Sequence, residues 1–482
     1  MSLLLIDLGS SSVRALLFDD SAQLIDGSIH SRRCDFDTDS AGRATADAIV
    51  LKALVESCID EVLGHPAAAA IRAVGLATFA GNWLGLDAAG AACTPVVTYA
   101  DTMGRSEIPT LLEKLDGDAD AYHQATGCML HPAYLPAQYT HRRRSRPASE
   151  KKIHRLSDIG GYLYRQWFAR EMPMSLSLAS WSGLLDTKRR DWHWDYARLL
   201  LGDGFLDKLP PLAEYDQVQT GLGGDYAARW SQLRDVPFFL ALGDGAAANI
   251  GSGALDSRHI ALTVGTTSAL RVIKTIEPVP LGLWRYLVCA DMPLVGGATS
   301  EGGNIYQWVV EDLLRETDRL NAELEKRQAD CHGLTVLPLL AGERSPGWQP
   351  NAAGTIHGIR RNTSRLDILQ AHLEAVALRL SLIFDLLKTQ EATVMAGGGA
   401  LQSSAVWAQM IADAFDSPLQ LLAEAEITAR GLALMLRRSL DGEALAQRPP
   451  QVSRVIQPDP AGVASLRAAR ERQIDLYQRL YS

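Results

Sequence analysis

LLLIDLGSSSVRALLFD (residues 3–19) and IALTVGTTSALRVI (residues 260–273) read as two copies of one device. Each runs from an apolar strand into a glycine followed by hydroxyl residues, then into a second apolar strand that carries an arginine. Such a turn exposes backbone N–H groups and side-chain hydroxyls together, a combination that suits the oxygens of a phosphate. Ser10, Ser11 and Ser12 in the first turn, and Gly265, Thr266 and Thr267 in the second, are therefore candidate phosphate contacts. Two such turns on the two halves of one chain imply phosphates held between two lobes, as in an enzyme that uses ATP.

The composition agrees with an enzyme of this kind. A chain of 482 residues is long for one hydrophobic core, so two domains are expected. The boundary is placed at 240/241, where an apolar run enters a glycine-rich segment. With 47% hydrophobic and 21% charged residues, the sequence reads as an ordinary globular protein. A formal charge of -9 argues against a nucleic-acid partner, and the short basic run HRRRSR (141–146) reads as a solvated helix end. The six cysteines are scattered without CxxC spacing, as reduced thiols are. No apolar stretch reaches the length of a membrane span, and the start of the chain does not read as a signal peptide, so the cytoplasm is the expected location. A homodimer is compatible with such a chain.

Between the hairpins, residues 44–63 have the spacing of an amphipathic helix that includes Ile49 and Leu54 on its apolar face. Residues 71–79 read as a strand, and 84–99 as paired extended segments around the turn Asp87-Ala88-Ala89-Gly90. Beyond the boundary, small residues at 246–255 and a periodic stretch at 366–387 read as helices. A strand at 391–395, the cluster Gly397-Gly398-Gly399 and a helix from Ser404 follow. Strand, glycines, helix is a common place to lay a nucleotide against backbone, and equally a tight turn.

Two aspartates carry the expected chemistry. Asp7 stands inside an apolar strand, where a carboxylate is costly unless paired or liganded. It either helps hold Mg²⁺ beside a polyphosphate or accepts the N–H groups of the adjoining turn. Arg14, beyond the turn, either neutralises phosphate charge or braces the domain through a salt bridge. Asp244, in LALGDGAAAN (240–249), either caps a helix or takes the proton of an attacking hydroxyl. Asp101 would bind substrate hydroxyls or stabilise a turn, and His131 is assigned to the substrate side. Glu343 and Arg344 are expected to pair and position a loop. No zinc-ligand spacing, GxSxG or P-loop motif is present.

As a set, these pieces resemble the FGGY carbohydrate kinases. The resemblance runs in family order through DLGSSSVR (7–14), PVVTYAD (95–101), TGCMLHP (126–132), LALGDGAAAN, VGTTSALR (264–271), LPLLAGERSPGW (337–348) and AGGGALQSSAVWAQMIADAF (396–415). It implies an α/β fold of two ribonuclease-H-like domains, of the actin and hexokinase type, around a central ATP and sugar cleft. The domain at 1–240 would be mainly substrate-binding and that at 241–482 mainly nucleotide-binding.

It further implies ATP and Mg²⁺ as cofactors, with Asp7 and Asp244 at the metal and Asp244 as the catalytic base. Gly398, Gly399 and Ser404 would surround adenosine, while Asn82, Asp101 and His131 would face a small sugar, sugar acid or polyol. Within the family, the gluconate kinase branch is the most similar, through TGCMLHP, ASWSGLLD (179–186) and GGATSEGGN (296–304). Met103, where an arginine is usual, and the tract 77–82 depart from it, which keeps xylulose, ribulose or polyol in play. A catalytically silent ATP- or sugar-binding sensor on the same scaffold is the alternative of a different class.

Overall fold

The apolar runs on either side of Gly9 pair as an antiparallel hairpin, Ser2–Leu8 with Ser12–Asp19, and are buried along almost their whole length. Burial on both faces explains why these strands read as continuous hydrophobic runs rather than alternating ones. The computed structural model describes residues 1–315 and 320–481 and resolves the chain into two α/β units.

The first unit comprises Met1–Gly251, Trp284–Leu294 and Glu426–Arg448. Its sheet has the order Leu242–Gly243, Ile71–Thr78, Ser2–Leu8, Ser12–Asp19, His30–Arg33. The first three strands are parallel and the last two antiparallel. The helix Ala48–Val62 packs through Leu51, Val55, Ile59 and Val62, and Asp47 caps it by accepting from the N–H groups of Ile49 and Val50. The helix expected at 44–63 is therefore shorter. Ala44–Ala46 is a strand, and Ile49 is exposed because the capped first turn points it away from the core. The turn at Asp87–Gly90 forms as expected, with Gly90 N–H donating to Asp87.

The second unit comprises Ser252–Leu283, Val295–Ala425 and Pro449–Ser482. Its sheet repeats the same plan. Met292–Thr299, Ser268–Ile273, His259–Val264, Thr393–Gly397 and Leu419–Leu422 lie side by side, and Val452–Ile456 adds an edge. Here too a hairpin is followed by two parallel strands beside its first strand. The helix Arg365–Leu387, started by a Ser364/Asp367 capping box, is buried on nearly all sides. Ser404 caps Ala405–Phe415.

The compact units do not follow a single cut at 240/241. Leu242–Gly243 extends the first sheet, and the helix Asp244–Gly251 that follows packs on Ile427–Asp441 at backbone contact. A Cβ on Gly251 would lie 1.9 Å from the Ile427 carbonyl, and one on Gly431 would lie 1.8 Å from that of Ala247. Only glycine permits this approach. Among the described residues, no helix is long and apolar enough to cross a membrane.

Candidate active site

Register brings the two aspartates to the same end of the first sheet's parallel strands. Ala77 pairs with Asp7 on one side and with Leu242 on the other, and Asp244 follows two residues beyond Leu242. One strand therefore separates them, a lateral spacing of roughly 10 Å. Both belong to the first unit, although Asp244 lies past the 240/241 boundary expected from the sequence. Burial, the neighbouring Asp244 carboxylate and Glu426 push the Asp7 carboxyl up to about 7, against the pull of Arg14. Asp244 Oδ1 accepts from the backbone N–H groups of Gly245 at 2.7 Å and Ala80 at 3.2 Å, which fixes the carboxylate at the end of its strand.

The turn after Asp7 is closed by Gly9 N–H donating to Ser12 at 3.0 Å. Ser11 is exposed, and Ser10 and Ser12 are half-buried. Arg14 pairs with Glu426 at 2.9 Å, so of its two expected roles the structure displays the bracing one. Glu426 is not singled out by the sequence; its place directly before the small-residue helix Ile427–Asp441 is the available signal.

The substrate-side candidates are also in the first unit. Asp101 is buried, with one oxygen accepting from Ala44 N–H and the other from Met103 N–H; burial raises its pKa. The Asn82 side-chain oxygen accepts from Ile159 N–H at 2.8 Å, and its amide donates to Phe79. His131 is buried and its Nδ1 accepts from Ala133 N–H. Asp101 and Asn82 thus brace loops near the sheet's end.

The second unit holds the other hairpin. Gly265 N–H donates to Thr267, and the carbonyls of Gly265 and Thr266 accept from Gly303 and Asn304 N–H. Thr266 is exposed and Thr267 half-buried. A groove of about 490 Å³ opens beside this turn, lined by Gly265, Thr266, Asn304, Gly399, Ser404 and Trp407. Gly398, at φ +105°, lies so close to Val264 that a Cβ would come within 2.3 Å of its carbonyl oxygen. Asn304 and Trp407 are not singled out by the sequence; their signal is the GGN and SSAVW context around them.

Glu343 does not pair with Arg344. It forms a buried ion pair with Arg379 from the long helix and accepts from Tyr477, while Arg344 donates to the Thr299 carbonyl. Adjacent residues in an extended loop point to opposite sides, which separates the expected pair. Nearby, burial pushes the Glu301 carboxyl up to about 8. Asp330, His332 and Glu374 lie close enough together to suit a cation. However, His332 Nδ1 accepts from Leu334 N–H, which leaves Nε2 protonated and donating to Glu374, and Arg472 holds Asp330. The cluster is a hydrogen-bonded brace between a loop and a helix.

Residues 2–251 match the N-terminal domain, and residues 260–439 the C-terminal domain, of the FGGY family of carbohydrate kinases. A gluconokinase of Bacillus subtilis is 24% identical, over 89% of this chain and 86% of that protein. A xylulose kinase of Escherichia coli is 24% identical over 98% of both. Among solved structures, a ligand-bound xylulose kinase from Lactobacillus acidophilus matches with a TM-score of 0.89 at 22% identity, covering 100% of this chain and 98% of that one. A gluconate kinase from the same organism matches at 0.88 and 21%, with the same coverage. The chain belongs to the FGGY family of carbohydrate kinases, ATP-dependent phosphotransferases with an alcohol group as acceptor.

Proposed function

We propose that this kinase phosphorylates a hydroxyl of an open-chain sugar acid, gluconate foremost, with Asp244 as the base. The carrying observation is the placement of Asp7 and Asp244 at the same end of the sheet's strands, one strand apart. Asp244 lies partly open to solvent, with its oxygen oriented by two N–H groups. A carboxylate so placed orients the acceptor hydroxyl and takes its proton as the bond to phosphorus forms, without needing a pKa near 7.

Mg²⁺ fits the first unit's donor set. Asp7 is a buried oxygen donor beside a second carboxylate, an arrangement that a divalent cation relieves, and oxygen ligands are those Mg²⁺ prefers. When bound, the ion neutralises charge on the polyphosphate. Asp7 would hold it, with Asp244 contributing, and Ser10, Ser11 and Ser12 would donate to phosphate oxygens. Arg14, tied to Glu426, would add positive charge near Asp7.

In the second unit, Gly265, Thr266 and Thr267 would contact phosphate. The groove beside them has the volume of a small-molecule site, and Gly398, Gly399 and Ser404 would receive the adenosine. Asn82, Asp101 and His131 would shape the acceptor side of the first unit. Gluconate is favoured by the motifs ASWSGLLD and GGATSEGGN and by the gluconokinase relatives. A ketose such as xylulose is the second reading, favoured by the xylulose kinases that match at similar identity.

The test is product mass after incubation with Mg²⁺-ATP and gluconate, xylulose, ribulose, glycerol or erythritol. A gain of one phosphate on gluconate alone is expected, and Asp244→Asn should lower turnover by about 10³-fold while ATP binding persists. Phosphate on another acceptor moves the substrate. Binding without any phosphorylated product replaces the kinase with a sensor.

A further inference from the structure

Tryptophans in a protein interior usually give the indole N–H a partner. The first unit follows this closely. Trp83 donates to Gln138 Oε1 at 2.9 Å, Trp167 to Glu56 at 3.1 Å, Trp192 to the Pro210 carbonyl at 2.8 Å and Trp230 to Asp60 at 2.7 Å. Trp181 breaks the pattern. Its Nε1 is buried, yet no hydrogen-bond acceptor among the described residues is within reach.

Its position is specific. The indole lies against two glycines, and each precedes a residue assigned to the acceptor site. A Cβ on Gly243 would stand 3.5 Å from Trp181 Nε1, and Asp244 comes next; one on Gly81 would stand 3.8 Å from Trp181 Cε3, and Asn82 comes next. The ring is held from behind by a stack with Tyr286 at 3.9 Å, which itself stacks on Trp284 at 4.2 Å. Tyr286 and Tyr134 share a hydrogen bond of 2.6 Å between their hydroxyls, and Tyr134 N–H donates to the His131 carbonyl. A cavity of ≈ 30 Å³ bordered by Gly81, Asn82 and Trp181, its other walls mainly apolar side chains such as Leu135, Met174 and Leu178, has room for about one hydroxyl-sized group. A rigid aromatic ring with a buried, unsatisfied donor, packed on the glycine that precedes the proposed base, is a pre-organised contact whose partner is missing among the described residues.

We propose that Trp181 is a specificity-determining residue of the acceptor site. Its indole N–H donates to an oxygen of the polyhydroxylated acceptor, next to the hydroxyl whose proton Asp244 takes. This rests on the kinase reading above and assigns to it the residue that selects the acceptor. An acceptor with an oxygen at that position satisfies the donor, whereas one lacking it leaves the N–H buried and unpaired. Discrimination by a buried polar group of this sort is larger than that by apolar contact alone.

The experiment compares the native chain with Trp181→Phe, which keeps an aromatic ring for Tyr286 but removes the donor. Binding of D-gluconate and D-xylulose is followed by calorimetry without ATP, and kcat and KM are measured with it, including the monodeoxy analogues of each acceptor. Trp181→Phe should raise the acceptor Kd and KM about 10-fold, with kcat and the KM for ATP within about 2-fold. One deoxy analogue should bind both proteins alike, because it lacks the oxygen that the N–H meets. Equal acceptor affinity in both proteins, or the same penalty for every analogue, overturns the assignment. A lowered Tm with kcat and both KM values changed together also overturns it, in favour of simple packing. Acceptor binding weakened by the substitution, with no phosphate transferred by the native chain, keeps the contact and removes the kinase reading. No acceptor bound or phosphorylated by the native chain removes both.

Discussion

The two hairpins share a plan and differ in where they carry charge. In the first, Asp7 occupies the strand two residues before the turn glycine; in the second, Thr263 does. Both have a parallel strand beside them, Ala77 pairing with Asp7 and Gly397 with Thr263. Asp7 meets Arg14 across its hairpin, while Arg271 reaches Thr263 Oγ1 at 3.3 Å from further along. The first unit therefore bears the cost of a carboxylate inside its hairpin, and the second keeps its hairpin free of one, with buried carboxyls elsewhere, among them Glu301 and the Glu343–Arg379 pair. A carboxylate at the end of a central strand, beside a second one, suits a cationic ligand; buried carboxyls behind a turn serve to hold the turn still. The same supersecondary unit is thus specialised for chemistry in one copy and for support in the other.

The largest effect that would break this comparison is on phosphoryl transfer. Asp7→Asn should lower turnover about 10³-fold or more, and Thr263→Val less than 10-fold, in a coupled ADP assay. A larger loss at Thr263 would invert the assignment of roles. Asp7→Asn should also raise the Tm of the ligand-free protein, because it relieves a desolvated carboxylate facing Asp244.

Next comes the support behind the second turn. Glu343→Gln leaves the buried Arg379 guanidinium without its counter-charge and should destabilise the second unit by about 3 kcal/mol in urea unfolding. An unaffected transition would show that the ion pair does not hold the loop.

The remaining effect is a pH slope. Glu301, with its carboxyl pushed up to about 8 by burial, stays protonated in the folded chain where the unfolded chain has released its proton. Its contribution is fully present below about pH 4.5 and is lost as pH rises towards about 8, with a limiting slope of about 1.4 kcal/mol per pH unit between those values. Glu301→Gln should flatten that part of the stability profile, measured by urea unfolding at pH 5, 7 and 9. Equal slopes in the two proteins would mean that the carboxyl is not held neutral.

The hairpins were legible in the sequence because burial on both faces gives uninterrupted apolar runs, and a glycine with hydroxyls marks the turn. Asp244 was legible as a carboxylate between glycines, and Ser404 as the start of a helix. What escaped was long-range. Nothing local in Trp284–Leu294 or Glu426–Arg448 says that these segments return to the first unit, since their partners lie far away in sequence. The pairing of Glu343 with Arg379, 36 residues on, is hidden for the same reason. Ile49 failed differently: its spacing fits the apolar face, but Asp47 sets the phase of the first turn and turns it outward. Trp181 could be named from the sequence only as one tryptophan among ten; its missing partner is a property of three dimensions.

The glycine contact between Asp244–Gly251 and Ile427–Asp441 sets a schedule for the nascent chain. The helix that carries the proposed base cannot find its neighbour until residue 441 has left the ribosome, long after Met1–Gly251 has emerged. Until then the small-residue face stays uncovered, a surface on which chaperones act and aggregation starts. A fragment ending at Gly251 would keep that exposure permanently. The acceptor side of this fold therefore waits for a piece of chain made well after the rest of that side.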